Sequence, residues 1–201
     1  MVVFVFLLLL RSSQILAITC QENERVQDNA CILCPTGSTN LAGDDVLGQD
    51  TYCDTCLITT NQELRDYVDQ WIEERSSHPC GSVVGDWEVG RVTDMSCVFC
   101  GSPSDPRCNT VRKGFNADIS NWNTGSVTTL FETFRGATKF TGDGVSNWDT
   151  SRVTRLIGTF YDATSFTGYG VSSWNTSSVT ALSNTFYGAT SFTGDGVSNW
   201  D

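Results

Sequence analysis

Histidine is nearly absent from this chain: His78 is the only one in 201 residues. It stands before Pro79, with no serine or cysteine nucleophile in a catalytic context, which excludes a histidine-based triad. Positive charge is scarce as well, with 12 Lys and Arg against 23 Asp and Glu and a formal net charge of −11. That balance excludes nucleic acid as a partner, because such affinity comes from neutralised phosphates. It also excludes anionic membrane surfaces. It suits a soluble, self-repelling protein. Long apolar runs are missing too: the block Val2 to Leu10 has nine residues, too few to span a bilayer. Cysteine is absent beyond residue 108, all nine lying between Cys20 and Cys108.

What the second half does contain is a repeat. Trp122, Trp148, Trp174 and Trp200 are each 26 residues apart, and so are Val127, Val153 and Val179. Leu130, Leu156 and Leu182 keep the same step, as do Phe134, Phe160 and Phe186, and Phe140, Phe166 and Phe192. A fixed period of this size is the signature of stacked repeats. In Ser151 to Ala163 the apolar residues Val153, Leu156, Phe160 and Ala163 are spaced three, four and three, which predicts a helix of about three turns. Trp148-Asp149-Thr150 and Trp174-Asn175-Thr176 read as N-caps. Gly136 and Gly188 suit left-handed helix exits, and Thr141 to Gly144 and Thr193 to Gly196 are turns. Val145 to Trp148, like Ile119 to Trp122, reads as a short strand. The expected fold is an α/β repeat solenoid with one short strand and one short helix per unit and its aromatic columns as core. The tryptophan column is either core or an exposed aromatic ladder.

The string from Phe115 to Thr124, followed by Val127-Thr128 and Leu130, resembles the repeat of BspA-like leucine-rich-repeat surface proteins, including mycoplasma-type surface lipoprotein repeats. Leu130 and Thr133 stand where that pattern has methionine, and later units read Gly-Val-Ser for Asp-Ile-Ser with one residue added. The resemblance covers about residues 83–201. It implies a leucine-rich-repeat-like solenoid in an extracellular or cell-surface repeat protein and carries no catalytic residues.

Residues 1–19 read as a secretory signal peptide, with an uncleaved anchor as the alternative. Its removal takes Arg11 and moves the net charge from −11 to −12. Thr19 before Cys20 makes a poor lipidation site. Residues 20–57 form a cysteine-rich module. The spacing of Cys31, Cys34, Cys53 and Cys56 fits a zinc template, but a secretory compartment favours disulfides. The disulfide candidates are Cys20, Cys31, Cys34, Cys53, Cys56, Cys80, Cys97, Cys100 and Cys108, four pairs with one odd thiol. This module resembles the cysteine-rich segments of ephrin-receptor-like and tumour-necrosis-receptor-like ectodomains, which implies an extracellular interaction module. The acidic run Asp44, Asp45, Asp50 and Asp54 lacks EF-hand spacing and reads as a solvated turn.

Residues 58–79 read as an amphipathic helix and linker, with a Thr60/Glu63 capping box and a stripe of Leu64, Val68, Trp71 and Ile72. Residues 80–114 form an atypical, disulfide-stapled capping repeat. Trp87, Val92, Met95 and Phe99 match the later columns by offset, with about nine residues inserted. Residues 115–201 carry the repeats and stop inside a fifth unit, which reads as a truncated array.

The function this organisation implies is a secreted or cell-surface binding and adhesion scaffold, non-catalytic, with an extracellular protein or glycan as ligand. It implies no cofactor and no metal ligand, and membrane attachment only through an anchor outside this stretch. A structural wall or matrix component is the alternative. A glycan-active enzyme is suggested by Trp148-Asp149 and Trp200-Asp201, but Asn123 and Asn175 fill the same column, so the position tolerates an amide. The expected ligand contacts lie where the repeats vary: Arg135, Tyr161, Tyr169 and Tyr187. Asn175-Thr176-Ser177 is a glycosylation sequon.

Overall fold

The computed structural model describes residues 24–27, 30–33, 57–74, 78 and 80–200. The signal segment, Cys20, Cys34, Cys53, Cys56 and the acidic run from Asp44 to Asp54 lie outside the described residues. The chain divides into two units, Met1–Asp54 and Thr55–Asp201. In the first, β1 (Glu24–Gln27) and β2 (Ala30–Leu33) pair antiparallel, Glu24 opposite Leu33 and Gln27 opposite Ala30. Cys31 in β2 is disulfide-bonded.

The second unit opens on α1 (Asn61–Glu73), the one α-helix among the described residues. Thr60 is extended, and its hydroxyl accepts from the Glu63 N–H at 3.2 Å, while the Glu63 carboxylate accepts from the Thr60 N–H at 3.0 Å. This reciprocal cap satisfies two orphan donors of the first turn. Leu64, Val68 and Trp71 are buried along one stripe. The Asn61 amide donates to the carbonyls of Asp94 and Ser96, so the helix start closes over the first repeat unit.

Beyond α1 the structure overturns the α/β repeat solenoid. No repeat unit contains an α-helix or a regular strand; the body is mostly irregular, built from successive turns with short 3-10 pieces at Val84–Asp86, Thr110–Gly114 and Val171–Ser173. The stretch expected to be a helix, Ser151 to Ala163, makes no bonds four residues back. Thr159, Tyr161 and Ala163 donate three residues back, to Leu156, Gly158 and Phe160. The N–H groups of every second residue from Leu156 point along the chain stack instead: Leu156 to Ala181 O at 2.7 Å, Gly158 to Ser183 O at 3.0 Å, Phe160 to Thr185 O at 2.8 Å. Backbone that alternates in this way must turn left-handed at intervals, and Gly158 (φ 62°) and Asp162 (φ 54°) do so. Val153, Thr154, Ile157, Gly158 and Thr159 in this stretch are poor helix formers. Val145 to Trp148, expected as a strand, is a turn closed by Trp148 N–H to Val145 O at 3.2 Å. Extended pairing among the described residues of this unit is limited to single-residue parallel bridges, Leu57 to Glu88, Asp94 to Thr129, Thr129 to Arg155 and Arg155 to Ala181. The Asx residues read as N-caps cap turns: Asp149 accepts from Ser151 N–H at 2.9 Å and Asn175 from Ser177 N–H at 3.0 Å.

The 26-residue columns do meet in space. Trp87, Trp122, Trp148, Trp174 and Trp200 stack with ring centroids 6.2–6.4 Å apart. Phe99, Phe134, Phe160 and Phe186 stack at 5.0–5.7 Å. Phe115, Phe140, Phe166 and Phe192 follow at 6.1–6.3 Å. Trp122, Trp148 and Trp174 are only 2–4% exposed, so the tryptophans are core and not a surface ladder. A buried indole N–H needs an acceptor. Trp148, Trp174 and Trp200 each donate to the carbonyl 29 residues earlier, at Ile119, Val145 and Val171. Buried threonines do the same: Thr133, Thr159 and Thr185 donate to Met95, Leu130 and Leu156 carbonyls at 2.9–3.0 Å.

Candidate functional site

Because units lie on one another, a residue and its equivalent one unit later become surface neighbours. Three of the four expected contacts fall into one such column. The Arg135 guanidinium sits over the Tyr161 ring, 4.9 Å from its centroid. Tyr161 stacks on Tyr187 at 4.8 Å, with 24° between planes. Arg135 is held in place by Glu132 Oε1 at 2.7 Å and Ser104 Oγ at 3.0 Å. Arg135 and Tyr161 are half-buried, which corrects their expected placement in open solvent, while Tyr187 is 60% exposed. Beside this column, Arg107 and Arg155 both lie against the Phe131 ring, at 5.3 and 5.2 Å. On a chain of net charge −11, three arginines and three aromatic rings thus share one face. Cation–π contacts of this kind contribute roughly 0.5–1 kcal/mol each at exposed sites and fix the ring planes.

Tyr169 does not join this face. It is 65% exposed in the glycine turn between Gly168 and Gly170. There it lines a separate cleft of about 570 Å³ with Ser146, Ser172, Ser173 and Asp195. Asn175 of the sequon is exposed, with its Oδ1 committed to Ser177.

Of the cysteines, Cys100 and Cys108 form a disulfide across eight residues, and Cys80 is disulfide-bonded. Cys97, expected among the disulfide candidates, is a free and fully buried thiol. Its partner by spacing, Cys100, is taken by Cys108, which lies in the inserted loop and reaches back over Pro103 and Pro106. Burial pushes the Cys97 thiol up to about 11. Two carboxylates share its surroundings. Asp105 is held down to about 2, chiefly by side-chain hydrogen bonds from Arg107, whose Nη2 lies 2.6 Å from Oδ2. Glu132 is engaged at Oε1 by Arg135, while its Oε2 is buried without a donor. Sequence reading assigned no metal ligand and missed this cluster. One signal was present: the step of 35 from Trp87 to Trp122 also links Cys97 to Glu132.

His78 lies outside any helix or strand, as its place before Pro79 suggests, and there it is buried and stacked on Trp87, centroids 4.9 Å apart, with Nδ1 accepting from Cys80 N–H. Among the described residues no helix is long and apolar enough to cross a membrane.

Residues 106–201 match a protein family described as Mycoplasma protein of unknown function, DUF285. The match covers the repeats and leaves the N-terminal half of the chain unmatched, and it agrees with a mycoplasma-type repeat. No curated protein and no solved structure matches the chain.

Proposed function

We propose that this chain is a secreted or cell-surface binding scaffold that acts without catalysis, and that the face built from Arg107, Phe131, Arg135, Arg155, Tyr161 and Tyr187 holds its ligand. The observation that carries the reading is the Arg135–Tyr161–Tyr187 column. Its rings and guanidinium are already ordered against each other. Tyr and Arg are the types that dominate binding energy, and pre-ordering lowers the entropy cost of using them. A flat strip spanning several units suits an extended partner, an extracellular protein or glycan, better than a small molecule enclosed in a pocket. The apolar leader with its cysteine-rich successor, and the resemblance of the repeats to BspA-like surface proteins, support placement outside the cell.

The test is binding of the folded chain to immobilised glycans and extracellular-matrix proteins, followed by single substitutions. Tyr187→Ala should weaken binding by about tenfold or more while leaving thermal stability unchanged. Tyr169→Ala, on a different surface, should leave binding intact. Glycan hydrolysis abolished by one carboxylate substitution, with Tyr161 and Tyr187 indifferent, overturns the reading.

A further inference from the structure

Cys97, Asp105 and Glu132 bring one sulfur and two carboxylate oxygens within 4.8 Å of one another. We propose that these three side chains form a binding site for one divalent cation of the zinc class, with water completing the coordination. The inference is independent of the ligand-binding face, although it lies beside Arg107 and Arg135.

The three donors come from three pieces of backbone held by separate constraints. Cys97 and Glu132 occupy the same column of adjacent units, both left-handed at φ 61° and 53°, and Cys97 N–H donates to Phe131 O at 3.1 Å. Asp105 belongs to the inserted loop that the Cys100–Cys108 disulfide closes. Two of the donors have unused capacity. The Cys97 thiol is fully buried and free, and Glu132 Oε2 is buried with no hydrogen-bond donor. A buried acceptor left without a donor is unfavourable, and a cation between the two removes that cost.

The arginines sit where outer partners of a metal site sit. Arg107 grips Asp105 through Nε and Nη2, and Arg135 grips Glu132 Oε1, so each carboxylate is oriented and the site is charge-balanced before a cation enters. A thiolate donor selects against calcium and magnesium and for zinc-like ions. Zinc places its ligands at about 2.3 Å for sulfur and about 2.0–2.2 Å for oxygen, so donors around it stand roughly 3.5 Å apart. Binding therefore has to draw the donors in from separations of up to 4.8 Å to that spacing. On binding, the thiol proton leaves to solvent and the sulfur ligates as thiolate.

The experiment uses the full chain with its disulfides intact, stripped with chelator and titrated with Co²⁺ as a spectroscopic stand-in for zinc. One equivalent should produce a sulfur-to-cobalt charge-transfer band in the near ultraviolet, which added Zn²⁺ bleaches. Cys97→Ser should abolish the band with the Cys100–Cys108 disulfide still present by peptide mass. Glu132→Gln and Asp105→Asn should each weaken cobalt binding by about tenfold or more. Absence of the band in the folded protein, or its persistence in Cys97→Ser, overturns the proposal. If Cys97→Ser does not fold, the carboxylate variants decide, and cobalt affinity unchanged in both overturns it.

Discussion

Arg112 grips Asp69 through both arms of its guanidinium, Nε to Oδ1 at 2.5 Å and Nη2 to Oδ2 at 2.7 Å, across 43 residues of sequence. The same side chain, 3% exposed, also donates to the carbonyls of Cys97, Arg107 and Arg65. It therefore ties α1, the first repeat unit and the inserted loop together at one point. A guanidinium desolvated to this degree is tolerable only because all these acceptors converge on it. Arg112→Ala is expected to destabilise the protein by roughly 3–5 kcal/mol in urea unfolding, the range for breaking a buried pair. Arg112→Lys should recover only part of that loss, because one ammonium cannot reproduce the fork. A loss below about 1 kcal/mol for Arg112→Ala, the level of a surface pair, contradicts the clamp.

The glycine turns carry an internal control. Gly142 (φ 105°) and Gly194 (φ 83°) are equivalent positions two units apart. A β-carbon on Gly142 meets Tyr169 O at 2.7 Å and the Phe166 ring at 2.9 Å, whereas one on Gly194 meets nothing within 4 Å. Gly194→Ala should therefore cost only the left-handed backbone, about 1–2 kcal/mol. Gly142→Ala adds an overpacking term of roughly 1–3 kcal/mol. Equal costs in thermal unfolding would mean that the turn of one unit does not press on the next.

His78 gives a pH dependence. Burial lowers its pKa below the ordinary value of 6.5, so the folded protein keeps it neutral. The unfolded chain takes up the proton as pH falls through 6.5, and the folded chain does not. Stability is then full above that pH and declines below it. His78→Gln should flatten the difference in urea midpoint between about pH 7.5 and about pH 5. An unchanged acid slope in the variant would show that His78 titrates freely in the folded state.

Much of the core was legible in the sequence. The 26-residue step placed Trp122, Trp148 and Trp174 in one column and Phe134, Phe160 and Phe186 in another, and those columns stack. Thr60 and Glu63 marked the start of α1 because a capping box is a local arrangement that needs no tertiary partner. The helix expected at Val153, Leu156 and Phe160 failed because a three-four spacing records only which side chains face inward. A chain of turns puts the same residues inward while sending alternate N–H groups to the neighbouring unit. Periodicity carries no information about where backbone hydrogen bonds go. The Arg135–Tyr161–Tyr187 column was readable from the 26-residue step alone. Asp105 beside Cys97 was not, because the inserted loop has no counterpart in later units from which its path follows.

The layered core makes one further claim about where stability resides. Phe160 is fully buried with stacked rings on both sides, Phe134 at 5.5 Å and Phe186 at 5.7 Å, and Phe166 packs against it at 3.8 Å. Trp200 is larger but only partly buried; it stacks on Trp174 at 6.2 Å and donates to Val171 O at 3.0 Å. Energy lost on truncation scales with what the side chain had removed from water and with the cavity left behind. Phe160→Ala opens a void enclosed by aromatic neighbours that cannot collapse without unstacking, and should cost about 3–5 kcal/mol. Trp200→Ala exposes a surface that water fills, and should cost less than half as much, about 1–2 kcal/mol. Paired urea titrations of the two variants measure this directly, with unchanged slopes confirming a common unfolded state. Equal losses, or a larger loss at Trp200, would show that the aromatic columns do not act as one core shared between units.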